Sequence, residues 1–247
     1  MIKDKIYFAS DFHLGTPNLQ ESHKREKHIV QWLTNIEKDA KAIYLVGDIF
    51  DFWFEYKTVV PKGFVRLLGK LAQLTDNGTP VHLFVGNHDL WMKDYLEKEV
   101  GVTIHHRNII IEEDDKKLFI GHGDGLGNGD YLYKFLRKIF TSKVCQWAFA
   151  RLHPNLALTI AHTCSRGSRK SGEEANFISN EKEILFGYCQ QQQALKPVDY
   201  YVFGHRHLPL ELKVDSRAKY INTGDWLSHY TYAILQEGNL KLKTYNK

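Results

Sequence analysis

Apolar residues follow two periodicities along this chain of 247 residues. Between about residue 20 and residue 75, apolar positions recur at helical spacing within residues 21–39 and again within residues 64–74. Short runs rich in β-branched and aromatic residues, typical of buried strands, occur at residues 5–10, 42–46, 81–85, 117–121 and 200–204. Strands that alternate with core-facing helices predict an α/β fold.

Two later parts of the chain depart from this alternation. Residues 125–195 contain no clear strand, and residues 130–140, 143–151 and 155–162 have helical patterns. After residue 208, closely spaced strand patterns at 210–214, 218–222, 231–236 and 239–245 predict a second, mixed or antiparallel sheet. We therefore predict a core formed by residues 1–124 and 196–247. Residues 125–195 would form an insertion made of a helical lid and a return helix.

Composition indicates a compact protein in a reducing compartment. Charged residues make up 25% and hydrophobic residues 43%, ordinary values for a water-soluble globular chain. Three cysteines form neither a paired framework nor a C-x-x-C site. The N-terminus lacks the apolar region of an export signal, and polar residues interrupt the longest apolar stretch, residues 144–163, so that it cannot span a bilayer. We expect a cytoplasmic protein.

The net charge is mildly positive. A formal charge of +4 would suit an anionic substrate or a weak attraction to an anionic membrane surface. It does not argue for nucleic acid, and no obligate protein partner is evident. We expect reversible contact with the inner membrane surface at most.

Five polar motifs follow directly after the five strand-like runs. Strand ends of an open α/β sheet converge on one crevice, so these motifs can meet although they span most of the chain. Carboxylate, amide and imidazole groups are suitable ligands for divalent metal ions. The motifs are Asp11-Phe12-His13, Gly47-Asp48-Ile49-Phe50-Asp51, Gly86-Asn87-His88-Asp89, Gly121-His122-Gly123-Asp124 and Gly204-His205-Arg206-His207.

Complete and in this order, the motifs resemble the signature blocks of the calcineurin-like metallophosphoesterase family. The resemblance covers the chain outside the lid, and it implies a four-layer α/β/β/α sandwich with two divalent ions, Mn²⁺ by analogy. One ion would be bound by Asp11, His13, Asp48 and His207. The other would be bound by Asp48, Asn87, His122 and His205, so that Asp48 bridges the two.

The resemblance also implies roles for the neighbouring residues. Asp48 and Asn87 would take part in catalysis, and His88 could donate a hydrogen bond or a proton toward the phosphate or leaving group. Metal-bound imidazole usually donates its other N–H to an acceptor. Three more carboxylates are therefore expected to orient ligand histidines or backbone turns, or alternatively to cap a helix or turn: Asp51, Asp89 and Asp124.

Within the family, the insertion is similar to the lid of the UDP-2,3-diacylglucosamine diphosphatases of lipid A biosynthesis. The similarity lies in Gly121–Asp124, in Asp130 and Tyr133, and in the segment RGSRKSGEEAN at 166–176. It implies hydrolysis of a lipid-linked nucleotide at its diphosphate, giving UMP and 2,3-diacylglucosamine 1-phosphate. Substrate-binding residues would then be Asp130, Tyr133, Arg137, Arg166, Ser168 and Lys170.

One position departs from that group, and two alternatives stay open. The best-known diphosphatases of the group have Arg where this chain has His88, whereas His is the rule in the wider family. The first alternative is a metallophosphoesterase that acts on another nucleotide or diphosphate. The second is a metal-binding scaffold without hydrolysis, which the intact ligand positions argue against.

Overall fold

The computed structural model describes residues 2–128, 131–161, 163 and 183–246. The strands of these residues are β1 (Lys5–Ala9), β2 (Ala40–Leu45), β3 (Val81–Phe84), β4 (Thr103–His105), β5 (Ile109–Glu113), β6 (Lys116–Ile120), β7 (Tyr200–Phe203), β8 (Pro209–Lys213), β9 (Lys219–Thr223), β10 (Thr231–Gln236) and β11 (Asn239–Thr244). The helices are α1 (Leu19–Ile36), α2 (Val65–Asp76), α3 (Tyr95–Val100), α4 (Tyr131–Phe140), α5 (Lys143–Phe149), α6 (residues 154–161) and α7 (Ile184–Leu195).

The strands form two mixed sheets. The first sheet has the order β11-β10-β1-β2-β3-β4, in which β1 to β4 are parallel and β10 is antiparallel to β1. The second has the order β5-β6-β7-β9-β8, with β6, β7 and β9 parallel. The sequence pattern predicted that the last four strands belong to one second sheet, and this prediction is wrong. The strands β8 and β9 belong to the second sheet, whereas β10 and β11 extend the first. Their buried residues, among them Ala233 and Leu235, pack with Ile6 and Phe8 of β1.

Alternating residues of the strands build a core on each face of a sheet. On β1, Tyr7 faces Trp32 and the other apolar residues of α1 and α2, whereas Phe8 faces the second sheet. Residues of α7, such as Phe186, pack on the opposite face of the second sheet. Four layers in the order α/β/β/α result, as the family resemblance implied.

In the described part of the predicted lid, the helices α4, α5 and α6 lie between β6 and β7 in the chain. Neither α4 nor α5 has a fully buried residue, although Phe149 packs against Phe52, Phe54 and Trp91 of the core. Trp91 also donates its indole N–H to the carbonyl oxygen of Phe140 at 2.6 Å. The helix α7, expected as the return helix of the insertion, is the outer layer on the second sheet.

No helix in the described part of the chain is long and apolar enough to cross a membrane. Large apolar side chains are nevertheless exposed on α4 and α5. They are Tyr131, Leu132, Phe135, Leu136, Ile139, Phe140, Val144 and Trp147.

Candidate metal centre

The ligand candidates lie in tight turns directly after strands of both sheets. Five of them have left-handed backbone, with φ of 56° at Asp11, 43° at His13, 53° at Asp48, 67° at His205 and 55° at His207. Side chains other than glycine rarely adopt this conformation, and such strain concentrates at functional sites. The turns therefore direct these side chains toward one point at a cost in backbone energy.

Glycines in the turns allow the close approach of neighbouring loops. A Cβ atom on Gly86 would overlap the Asp48 carboxylate, and one on Gly47 would overlap the His122 ring. Of these two glycines, only Gly47 has a positive φ, of 89°. At Gly86, close packing against a ligand candidate therefore leaves no room for a side chain.

A first group of ligand atoms comes from the ends of β1 and β7. Asp11 Oδ1 lies 3.7 Å from His13 Nε2 and 3.2 Å from His207 Nε2, and the two imidazole nitrogens are 3.2 Å apart. Both Asp11 and His13 are fully buried. Asp11 Oδ1 has no hydrogen-bond partner among the described residues, which is costly for a buried carboxylate oxygen.

A second group lies beside the first. His122 Nε2 is 3.3 Å from Asp48 Oδ2 and 3.2 Å from Asn87 Oδ1, and Asn87 Oδ1 is 2.9 Å from His205 Nδ1. Asp48 Oδ2 is also 3.6 Å from His13 Nε2 of the first group. The carboxylate of Asp48 therefore lies between the two groups, where a bridging ligand would be.

Hydrogen bonds outside the site fix which atoms face it. His122 Nδ1 lies 2.8 Å from the carbonyl oxygen of Val46, to which it donates, so that Nε2 faces Asp48. Asp48 Oδ1 accepts the backbone N–H of His88 at 2.9 Å, which leaves Oδ2 for a shared ligand. This arrangement of an oriented imidazole is typical of metal-binding histidines.

The electrostatics of the centre favour a cation. Burial alone would raise the pKa of Asp48, but the charges of His122 and His88 outweigh it and hold that pKa well below its usual range. Burial acts to lower the pKa of His122. The nearby carboxylates, above all Asp48, act to raise that pKa and together outweigh burial, so the net shift is upward. The buried carboxylates therefore attract positive charge, and this attraction would act equally on a divalent ion.

His205 and His13 remain neutral, as metal ligands must be. Burial, reinforced at His205 by the charge of His122, lowers the pKa of His205 to about 4. Burial also lowers the pKa of His13. Imidazole nitrogens, carboxylates and an amide oxygen, together with Asp11 Oδ1, which has no hydrogen-bond partner among the described residues, fit divalent ions such as Mn²⁺, Mg²⁺, Fe²⁺ or Zn²⁺.

The three supporting carboxylates differ in what they contact. Asp51 Oδ1 lies 3.9 Å from both His13 Nδ1 and His88 Nδ1, which is too far for a hydrogen bond to either nitrogen. Asp89 contacts backbone instead: it accepts the N–H of Gly86 at 2.7 Å and that of Ile49 at 2.8 Å. Burial raises the pKa of Asp89 to about 7. Asp89 therefore connects two of the turns that carry ligands.

Asp124 joins the centre to the lid. Its Oδ2 accepts a hydrogen bond from the hydroxyl of Tyr133 at 2.5 Å and lies 2.8 Å from Arg137 Nε. Tyr133 and Arg137, both predicted to bind substrate, are thus placed beside the centre. The remaining predicted substrate-binding residues, Asp130, Arg166, Ser168 and Lys170, lie outside the described residues.

Asp225 was not singled out from the sequence. Its Oδ1 accepts the backbone N–H groups of Leu227, Ser228 and His229 at 3.1, 2.8 and 2.9 Å, and its Oδ2 lies 3.5 Å from His207 Nδ1. The carboxylate can therefore orient His207. A signal was available, because Thr223-Gly224-Asp225 repeats the strand, glycine and aspartate pattern of the other motifs.

Comparison with known proteins agrees with this fold. The profile of the calcineurin-like phosphoesterases matches residues 4–209, which is most of the chain. The chain therefore belongs to the calcineurin-like phosphoesterase family, and it is a hydrolase with a candidate metal site.

Among curated proteins, the chain is similar to UDP-2,3-diacylglucosamine hydrolases. It is 36% identical to the one from Porphyromonas gingivalis, over 98% of each chain. It is 27% identical to the one from Histophilus somni, over 90% of this chain and 92% of the relative. Among solved structures, the phosphoesterase Yfce from E. coli matches 97% of this chain and 92% of its own, with 15% identity and a TM-score of 0.49.

Proposed function

We propose that this protein hydrolyses the diphosphate of UDP-2,3-diacylglucosamine to UMP and 2,3-diacylglucosamine 1-phosphate, with two divalent ions, Mn²⁺ by preference. The observation that carries the proposal is the pair of ligand groups around Asp48, directly under a lid whose Tyr133 and Arg137 contact Asp124. The similarity to UDP-2,3-diacylglucosamine hydrolases over nearly the whole chain supports this substrate.

The chain supplies the geometry for attack by water on the α-phosphorus. One ion would be held by Asp11, His13 and His207, and the other by Asn87, His122 and His205. Asp48 would bind both ions. When bound, such an ion pair lowers the pKa of water and neutralises charge on the phosphate oxygens.

His88 would assist at the phosphate. Its Nδ1 lies 3.2 Å from the carbonyl oxygen of Asp51, a contact that can fix the orientation of the ring. The ring packs edge-on against His13 with centroids 4.8 Å apart, at the border of the first ligand group. We infer that His88 donates a hydrogen bond to a phosphate oxygen and so takes the place of the Arg found in the best-known diphosphatases.

The exposed apolar side chains of the lid are an argument for a substrate that carries acyl chains. On α4, Leu132 is 71% and Phe135 61% exposed, on the helix that also carries Tyr133 and Arg137. A helix with one apolar and one basic side is suited to acyl chains beside a phosphorylated sugar. The same surface supports our proposal of reversible, peripheral contact with the inner leaflet, where a lipid-linked substrate is found.

A direct test compares substrates. With Mn²⁺ present, we expect rapid release of UMP from UDP-2,3-diacylglucosamine and much slower release from UDP-N-acetylglucosamine, because the acyl chains bind to the lid. Chromatography of UMP and mass spectrometry of the lipid product measure both reactions. Equal rates with and without acyl chains would favour a phosphoesterase of another nucleotide, and absence of turnover with any diphosphate would favour a non-hydrolytic scaffold.

A further inference from the structure

A ladder of stacked rings crosses the first sheet on the face toward the second sheet. Phe8 of β1 stacks on Tyr44 of β2 with centroids 5.2 Å apart, and Tyr44 stacks on His82 of β3 at 4.5 Å. The ring of His105 on β4 then stacks on His82 at 5.2 Å and on Phe84 at 4.8 Å. Interplanar angles along this path range from 11° to 28°.

The ladder ends at His105, because β4 is the edge strand of its sheet. No further strand of that sheet continues beyond it among the described residues, and half-buried His105 lines a cavity of about 180 Å³. Drug-sized ligands fill pockets of roughly 300–1,000 Å³, so this cavity suits a single flat ring. An aromatic ring placed there would add one more step to the ladder.

The cavity borders the metal centre. His122 and Asp124 form its inner wall, so a group bound in it would be adjacent to the second ligand group. The outer wall contains Arg107 and Asn108, both exposed, from the loop between β4 and β5. Guanidinium and amide N–H groups donate hydrogen bonds to carbonyl oxygens, so the wall complements a ring that carries such oxygens.

We propose that this cavity binds the nucleoside half of the substrate, with the pyrimidine ring stacked on His105 and its carbonyl oxygens facing Arg107 and Asn108. The inference rests on the proposed function, since it assigns a position to the uridine of that substrate. Stacking contributes substantially to base binding because every base has a π-face. The acylated sugar would then extend from the α-phosphorus toward the lid helix α4.

The test uses the Mn²⁺-loaded protein and its nucleotide product. We expect His105→Ala to weaken UMP binding about tenfold, as measured by calorimetry, and to raise KM for UDP-2,3-diacylglucosamine by a similar factor at unchanged kcat. His105→Phe keeps a ring and should stay within about twofold of the wild type. His23→Ala, at an exposed histidine of α1, is the matched control.

Hydrolysis of bis(p-nitrophenyl) phosphate, which has no base, reports the metal centre separately. It should be unchanged in all three variants, and a loss in both His105 variants would overturn the proposal by showing that the ring supports the centre instead. Unchanged UMP binding in His105→Ala would also overturn it, while the proposed hydrolysis could still stand.

One further result separates this inference from the proposed function. UMP binding that depends on His105, in a protein that does not cleave the lipid nucleotide, would support the proposed nucleoside site and contradict the proposed reaction.

If His105→Ala does not fold, Arg107→Ala tests the same site, because this exposed side chain does not support the core. The Arg107→Ala substitution should weaken UMP binding without changing the turnover of bis(p-nitrophenyl) phosphate. If UMP binding stays as in the wild type, the proposal is overturned.

Discussion

Asp48 lies between the two ligand groups of the candidate metal centre, and one of its oxygen atoms faces both. Its Oδ1 accepts the N–H of His88, and its Oδ2 lies 3.6 Å from His13 Nε2 and 3.3 Å from His122 Nε2. The turn that carries Asn87 and His88 therefore helps to fix the orientation of the Asp48 carboxylate. An Asp48→Asn change would keep the shape of the side chain but lose the negative charge that two cations would share.

At the same scale, His82 and His105 are expected to make folding stability dependent on pH. Their rings lie 3.0 Å apart at Nδ1 and Nε2. Burial and the neighbouring His105 lower the pKa of His82, and burial, reinforced by His106, lowers the pKa of His105. Both pKa values lie below the unfolded value near 6.5, so below that pH the unfolded chain binds more protons.

We therefore predict that the free energy of unfolding decreases as pH falls below about 6.5 toward the folded-state pKa values. In His82→Phe, which keeps a ring against Tyr44, this decrease should be smaller by up to about 1 kcal/mol, because the half-exposed site is screened by solvent. Denaturant titrations of metal-free protein at pH 7.5 and 5.5 measure the effect. The exposed His23→Phe is the control, and an equal pH dependence in both variants would contradict the assignment.

At the scale of elements, α4 connects the lid to the centre through one strong hydrogen bond. Burial and the charge of Asp124 raise the pKa of Tyr133, so its hydroxyl stays protonated and donates to Asp124. We predict that Tyr133→Phe raises KM for the acylated substrate about tenfold with little change in kcat, because a hydrogen bond to a charged group is lost.

Tyr131→Phe is the matched control, since Tyr131 lies on the same helix but is 77% exposed. Steady-state kinetics with UDP-2,3-diacylglucosamine and with bis(p-nitrophenyl) phosphate measure the difference. If Tyr133→Phe impairs both substrates equally, α4 does not select the substrate and its contact with Asp124 serves only the centre.

Elements with strong periodicity were predictable from the sequence, and weak ones were not. The prediction for β10 matches residues 231–236, and those for β1, α1 and α2 are correct within a few residues. The strands β4 and β5 and the helix α3 were missed because three to six residues carry too little periodic signal. The partner of a strand depends on tertiary packing, so the sequence pattern could not divide the last four strands between two sheets.

At the scale of the whole molecule, two sheets bring residues from opposite ends of the chain together. Asp11 follows β1 of the first sheet and His207 follows β7 of the second, yet their side chains are 3.2 Å apart. Motif order and residue type were enough to predict this meeting, because strand ends of α/β sheets converge. The ring ladder that ends at His105 was not predictable, since it depends on the register of four strands.

The central claim is that two divalent ions share Asp48. Calorimetric titration of metal-free protein with Mn²⁺, combined with elemental analysis, tests it most directly. We predict two ions per chain in the wild type and in Asp76→Ala, an exposed control at the end of α2. Asp48→Ala should lose at least one tight ion and lose hydrolysis by several orders of magnitude while remaining folded. Fewer than two ions in the active wild type, or an unchanged stoichiometry in Asp48→Ala, would contradict the account.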